Sequence, residues 1–145
     1  MEGNLLGKDE KPIGYWLKEA DKSISEKVNK NLEQYQLTRF HWQVLNTVFE
    51  KKEMTKEAIL NLLRHFVDET KLDEIIDHFV MKKWMIQRNN TESGTTTIQM
   101  TEEGQKAFHE ILAAQQKTRM ELFQGLTKEE YEITMKVLKK IVENA

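Results

Sequence analysis

The sequence predicts a mainly helical domain carrying a single β-hairpin, in the order α-α-α-α-β-β-α-α. Three observations lead there. Apolar residues recur every three or four positions through most of the chain, the spacing that places them on one helix face. Residues 84–104, WMIQRNNTESGTTTIQMTEEG, break that rhythm with a polar stretch followed by the alternating run TTTIQM, which is strand spacing. A threonine or aspartate able to cap a helix stands before five of the six predicted helices.

The 145 residues suit one domain, 1–145, long enough to bury a substantial core. Apolar runs of only a few residues exclude a membrane-spanning helix. The opening MEGNLLGKDEKP lacks the basic start and apolar stretch of an export signal. Without cysteine there is no disulfide, thiolate metal site or thiol redox switch, so the cytoplasm is the expected address. A formal net charge of −2 offers no bulk attraction for nucleic acid, so any basic footprint must be local.

The first helix follows Pro12, with Ile13, Leu17, Ala20, Ile24, Val28 and Leu32 on one face and Tyr15 and Trp16 flanking its start. Gln36-Leu37-Thr38 interrupts it, and Thr38 caps a second helix bearing Phe40, Val44, Leu45, Val48 and Phe49. The charged EKKEM segment closes that helix. Thr55 caps a third through Ile59, Leu62, Leu63 and Phe66. Asp68 opens a fourth, with Leu72, Ile75, Ile76 and Phe79 on its apolar side. Two short helices across a tight turn suggest a helix-turn-helix, to which the hairpin adds a wing. Thr96, Ile98 and Met100 share the face of the second arm that lies on the helices. Thr101 then caps a long helix through Phe108, Ile111, Leu112, Met120 and Phe123. After Gly125, Thr127 and Glu130 form a capping box for the last helix, which presents Tyr131, Met135, Leu138, Ile141 and Val142.

This order, with QLTRFHWQVL (36–45), KKWMIQRNN (82–90), MTEEGQKAF (100–108) and LTKEEYEITMKVLKKIVEN (126–144), resembles the MarR family of winged helix-turn-helix transcriptional regulators. The resemblance covers nearly all of the chain from Ile13. It implies a homodimer in which 13–35 and 102–145 supply dimerisation helices and 38–100 forms a lobe that binds double-stranded DNA. The implied target is a pseudo-palindromic operator, and repression is the commoner mode. It also implies a crevice for a small aromatic or other effector, with Tyr15, Trp16, Phe40, His41 and Trp42 as candidate lining. Aromatic residues at helical spacing are more often core. The residues also support a dimer independently of the resemblance, the alternative being that the following side chains pack against their own domain. Ile13, Trp16, Leu17, Leu122, Phe123, Leu126, Tyr131, Met135 and Leu138 are hard to bury in a monomer whose middle is already compact.

In such a lobe the fourth helix would enter the major groove. With its apolar side turned inward, Glu69, Thr70, Lys71, Asp73, Glu74, Asp77 and His78 face out. Thr70 and Lys71 are the leading base contacts, with Glu69, Asp73 and Glu74 beside them. Lys56, Arg64, Lys82, Arg88, Asn90 and Thr95 are candidates for the DNA backbone, and Lys51, Lys52 and Lys83 are further cations nearby. Residues 68–92 hold four positive charges against six negative, an acidic balance for a groove lined by phosphates. The resemblance departs from the family pattern at the wing tip, where Glu92-Ser93-Gly94 replaces an acidic-x-Arg step. The glycine that commonly closes the recognition helix aligns with Trp84. An alternative reading is therefore a protein-interaction module whose acidic helix meets a basic partner.

The four histidines have no i, i+3 or i, i+4 spacing, and only His41 and His109 are candidates to meet, so no metal is expected. No glycine-rich phosphate loop, Gly-x-Ser-x-Gly or cysteine nucleophile is present. No cofactor and no enzymatic activity are expected.

Overall fold

The computed structural model describes residues 10–145. The irregular arm expected ahead of Pro12 falls, for residues 1–9, outside the described residues. Helix α1 (Ile13–Leu32) ends in a 3-10 turn at Glu33–Tyr35, and Gln36 reverses the chain in the left-handed region with φ 61°. Thr38 then caps α2 (Arg39–Lys51). Its hydroxyl accepts the His41 N–H while His41 Nδ1 accepts the Thr38 N–H at 3.2 Å. Histidine thus fills the capping-box position usually held by Glu or Gln.

Strand β1 (Glu53–Thr55) leads directly into α3 (Lys56–Leu63), capped by the Thr55 hydroxyl. Asp68 caps α4 (Glu69–Met81) through the Lys71 N–H. The hairpin is β2 (Met85–Asn90) and β3 (Thr95–Met100). Thr101 caps α5 (Glu102–Leu122), and Thr127 with Glu130 forms the expected capping box of α6 (Lys128–Asn144). The backbone and side-chain bonds from Thr127 hold the Glu130 carboxyl below its usual range.

The hairpin is not two-stranded, as expected, but part of a three-stranded antiparallel sheet in the order β1-β3-β2. Met85 lies opposite Met100 and Asn90 opposite Thr95, while β1 places Met54 against Ile98 on the far side. Part of the EKKEM segment therefore does more than close α2. Lys52 turns the chain at φ 65° and its carbonyl accepts the Met100 N–H at 2.8 Å, which anchors β1 to the wing.

The core gathers Leu32, Val44, Leu45, Val48, Ile59, Leu72, Ile75, Ile76, Phe79, Met85, Ile98 and Ile111, all fully buried. Each such side chain contributes about 1.5–3 kcal/mol on leaving water. Phe108 of α5 stacks between Phe49 (3.7 Å) and Trp42 (5.3 Å), tying the long helix to α2. Gly104 packs so closely on the Trp84 carbonyl and the Met100 sulfur that a methyl group there would collide with both. Along α1 and α5, Asn31 donates to the buried Thr118 hydroxyl at 2.6 Å and Lys27 pairs with Glu121 at 2.9 Å.

Three residues expected on apolar helix faces, Leu62, Phe66 and Met120, are on the surface. Helix α3 stops at Leu63, and Val67 takes the next inward position, leaving Phe66 more than half exposed, while Leu62 lies within α3 on a side left open to water. Met120 of α5 likewise faces outward. Helix α6 has no buried residue along its whole length.

Candidate nucleic-acid interface

Helix α4 buries Leu72, Ile75, Ile76 and Phe79 on one side. At 100° per residue the opposite ridge is Thr70, Glu74, Asp77 and Met81, all exposed. Sequence reasoning placed all but Met81 on the outer face, and the same helical spacing, carried one turn further, would have found it.

The two flanks of the helix are engaged. On one, Lys56 Nζ lies 3.2 Å from Glu69 Oε2 and 2.5 Å from Asp73 Oδ1, joining the start of α3 to α4. Those hydrogen bonds, Asp73 first, raise the Lys56 pKa. Three residues predicted as separate DNA contacts thus form one ion-paired triad, in which a single lysine offsets part of the charge of two carboxylates. On the other flank His78 is half-buried rather than outward. Its ring meets His41 of α2 edge to face, with centroids 4.9 Å apart, and its Nε2 is buried without a hydrogen-bond partner. Lys71 borders the ridge, 3.7 Å from Glu74.

Beyond Met81 the helix closes with the Trp84 N–H on the Phe79 carbonyl and the Lys83 N–H on that of Val80, both 3.0 Å. Lys83, just ahead of Trp84, holds the left-handed position that closes the helix, φ 64°. Lys82 lies over the Trp84 ring at 5.1 Å. Arg64 sits in the turn between α3 and α4, beside His65. These groups leave positive charge at both ends of the ridge.

On the wing, Arg88 lies in register with Thr97 and Thr55 on one face of the sheet. It borders an open cleft of about 520 Å³ shared with Glu53, Asn90 and Glu92. Asn90 Oδ1 accepts the N–H groups of Glu92 (3.0 Å) and Ser93 (3.2 Å), and Gly94 closes the turn at φ 69°. The predicted contact Asn90 therefore shapes the tip, while Thr95 begins the returning strand.

The five candidate effector residues do not form a single wall. Tyr15 and Trp16 meet each other edge to face at 5.1 Å on exposed α1, and Phe40 is partly exposed. His41 turns to His78 and Phe79, whereas Trp42 stacks on Phe108. His41 and His109, the one pair with a chance to meet, point to different partners, the His109 ring lying against Phe49 and Phe108. Among the described residues no group of three or more His, Asp or Glu side chains is placed to hold a metal ion.

Of the candidate interface residues, Ile13, Trp16, Leu17 and Leu126 are exposed, while Leu122, Phe123, Tyr131, Met135 and Leu138 are half-buried. Phe123 and Tyr131 meet at 5.4 Å with the Arg119 guanidinium over both rings, fixing the turn between α5 and α6. Ile133, Val137, Ile141 and Val142 add exposed apolar surface to α6. Among the described residues no helix is long and apolar enough to cross a membrane.

No protein-family model and no curated protein matches the chain in sequence. Solved structures match it closely in shape. Wild-type MarR from E. coli in its apo form superposes with a TM-score of 0.74 at 21% identity, over 90% of this chain and 96% of that one. A mutant E. coli MarR complexed with operator DNA gives 0.79 at 20% identity, over 96% and 99%. BpsR of Bordetella bronchiseptica, whose DNA binding is regulated by 6-hydroxynicotinic acid, gives 0.76 at 14% identity, over 97% and 99%. The chain thus has the winged helix-turn-helix fold of the MarR-family regulators.

Proposed function

We propose that the protein is a transcriptional regulator, acting as a repressor, that binds double-stranded DNA as a homodimer on a pseudo-palindromic operator. The observation that carries this reading is the α4 ridge, which stands clear of the lobe between Arg64 and Lys71 at one end and Lys82 and Lys83 at the other. A recognition helix enters the major groove in this way while basic groups at its ends and on the wing meet phosphates. Lys56 moderates the acidity of the helix by engaging Glu69 and Asp73 away from the ridge. The shared fold with a MarR mutant complexed with operator DNA supports the same reading.

Pairing of two chains follows from the apolar residues of α1, the α5 end and α6, which water would otherwise meet. In this reading 13–35 and 102–145 form the dimer body and 38–100 the reading lobe. An effector, a small aromatic acid as the BpsR comparison suggests, acts by changing the spacing of the two heads, since both must fit their grooves at once. Tyr15, Trp16 and Phe40 are its exposed aromatic contacts. The cytoplasm is the corresponding location.

A second reading, docking of a basic protein partner, draws on Glu74 and Asp77 facing outward and on a wing tip without arginine. A salt titration of binding to DNA flanking the protein's own gene separates the two. The DNA reading predicts that log K falls linearly with log salt, by about 0.9 per phosphate neutralised. Absence of binding to every fragment at low salt rejects it.

A further inference from the structure

We infer that the Lys71–Glu74 pair reads a C·G base pair in the major groove, a step that rests on the DNA-binding reading above. The ridge of α4 is short of hydrogen-bond donors. Thr70 offers one hydroxyl, Glu74 and Asp77 only accept, and Met81 is apolar. Glu69 and Asp73 are turned aside to Lys56. Lys71 is the cation paired with a ridge residue, its Nζ 3.7 Å from Glu74 Oε2, with both side chains exposed (44% and 66%).

That pair sets an acceptor next to a donor at the separation of neighbouring groups on one base-pair edge. Cytosine presents the N4 amino group as a donor, and its guanine partner presents O6 and N7 as acceptors. Carboxylate on cytosine and ammonium on guanine satisfy both sides. An A·T pair also sets an amino group beside an acceptor, but it gives the ammonium N7 or thymine O4 singly, where guanine gives O6 and N7 together. Thymine offers no donor at all. Lys71 has a second function here, because it offsets the charge that would otherwise hold Glu74 away from the phosphate-lined groove.

Selection of full-length protein on a duplex library with one randomised half-site tests this, with bound DNA sequenced for the wild type, Glu74→Gln and Lys71→Met. The wild type should select a C·G pair at one position by roughly tenfold or more. Glu74→Gln should shift that position toward A·T, because an amide pairs with adenine N6 and N7, while other positions keep their preference. Lys71→Met should lose the guanine preference there. Glu74 and Lys71 are exposed, so both variants keep the fold. Retention of the same C·G preference in Glu74→Gln overturns the inference and leaves DNA binding standing. So does bound DNA with no C·G preference in the wild type. Failure of the wild type to retain any duplex at low salt overturns both.

Discussion

The rings of His41 and His78 meet edge to face, 4.9 Å apart, and join the capping-box histidine of α2 to one flank of α4. His41 Nδ1 must stay unprotonated to accept the Thr38 N–H. Burial first, then His78 and Lys71, lowers the His41 pKa from 6.5 to about 4. Burial and then Lys82 lower that of His78. Folding thus favours the neutral rings. Their contribution is complete above the unfolded value near 6.5 and is lost as pH falls from there toward about 4. Thermal unfolding should show a loss on the order of 1–2 kcal/mol across this window, allowing for partial solvent access to the ring. His41→Gln keeps a capping-box acceptor without a titrating group and should flatten the loss. Equal acid sensitivity in both proteins would contradict this assignment.

Lys56 is predicted to act on DNA through its carboxylate partners and not through phosphate. Lys56→Met should weaken duplex binding about tenfold at low salt by leaving Glu69 and Asp73 uncompensated. Adding Glu69→Gln and Asp73→Asn should restore it. If the triple variant stays weak with its salt slope reduced by about one, Lys56 contacts a phosphate directly.

Gly104 controls how closely α5 approaches the end of α4. Gly104→Ala should destabilise the fold by about 1–3 kcal/mol, because the methyl group meets the Trp84 backbone, which yields less readily than a side-chain tip. Chemical denaturation gives the difference directly. A variant as stable as the parent would mean that the helix shifts without cost.

Local chemistry accounts for what was readable from sequence. Thr38, Thr55, Asp68, Thr101 and Thr127 all cap the helices they were expected to cap, since a cap depends on residues three positions apart. Strand β1 was not readable. It is three residues long and is held by pairing with β3, far along the chain. The Lys56 triad and the His41–His78 contact were hidden for the same reason, because each depends on how two helices lie on α4. The outward face of α4 followed from periodicity, but its division into a clear ridge and two engaged flanks required the neighbouring helices. Phe66 was misplaced because α3 ends before a further turn could carry it inward, whereas Leu62 lies within α3 on a side left open to water.

The central claim is that two copies of α4 and the wing engage one duplex together. Hydroxyl-radical footprinting of the flanking DNA, at saturating protein and low salt, tests it most directly. Two protected patches related by a dyad, about one helical turn apart, are expected. Uniform cleavage, or one isolated patch, would contradict it.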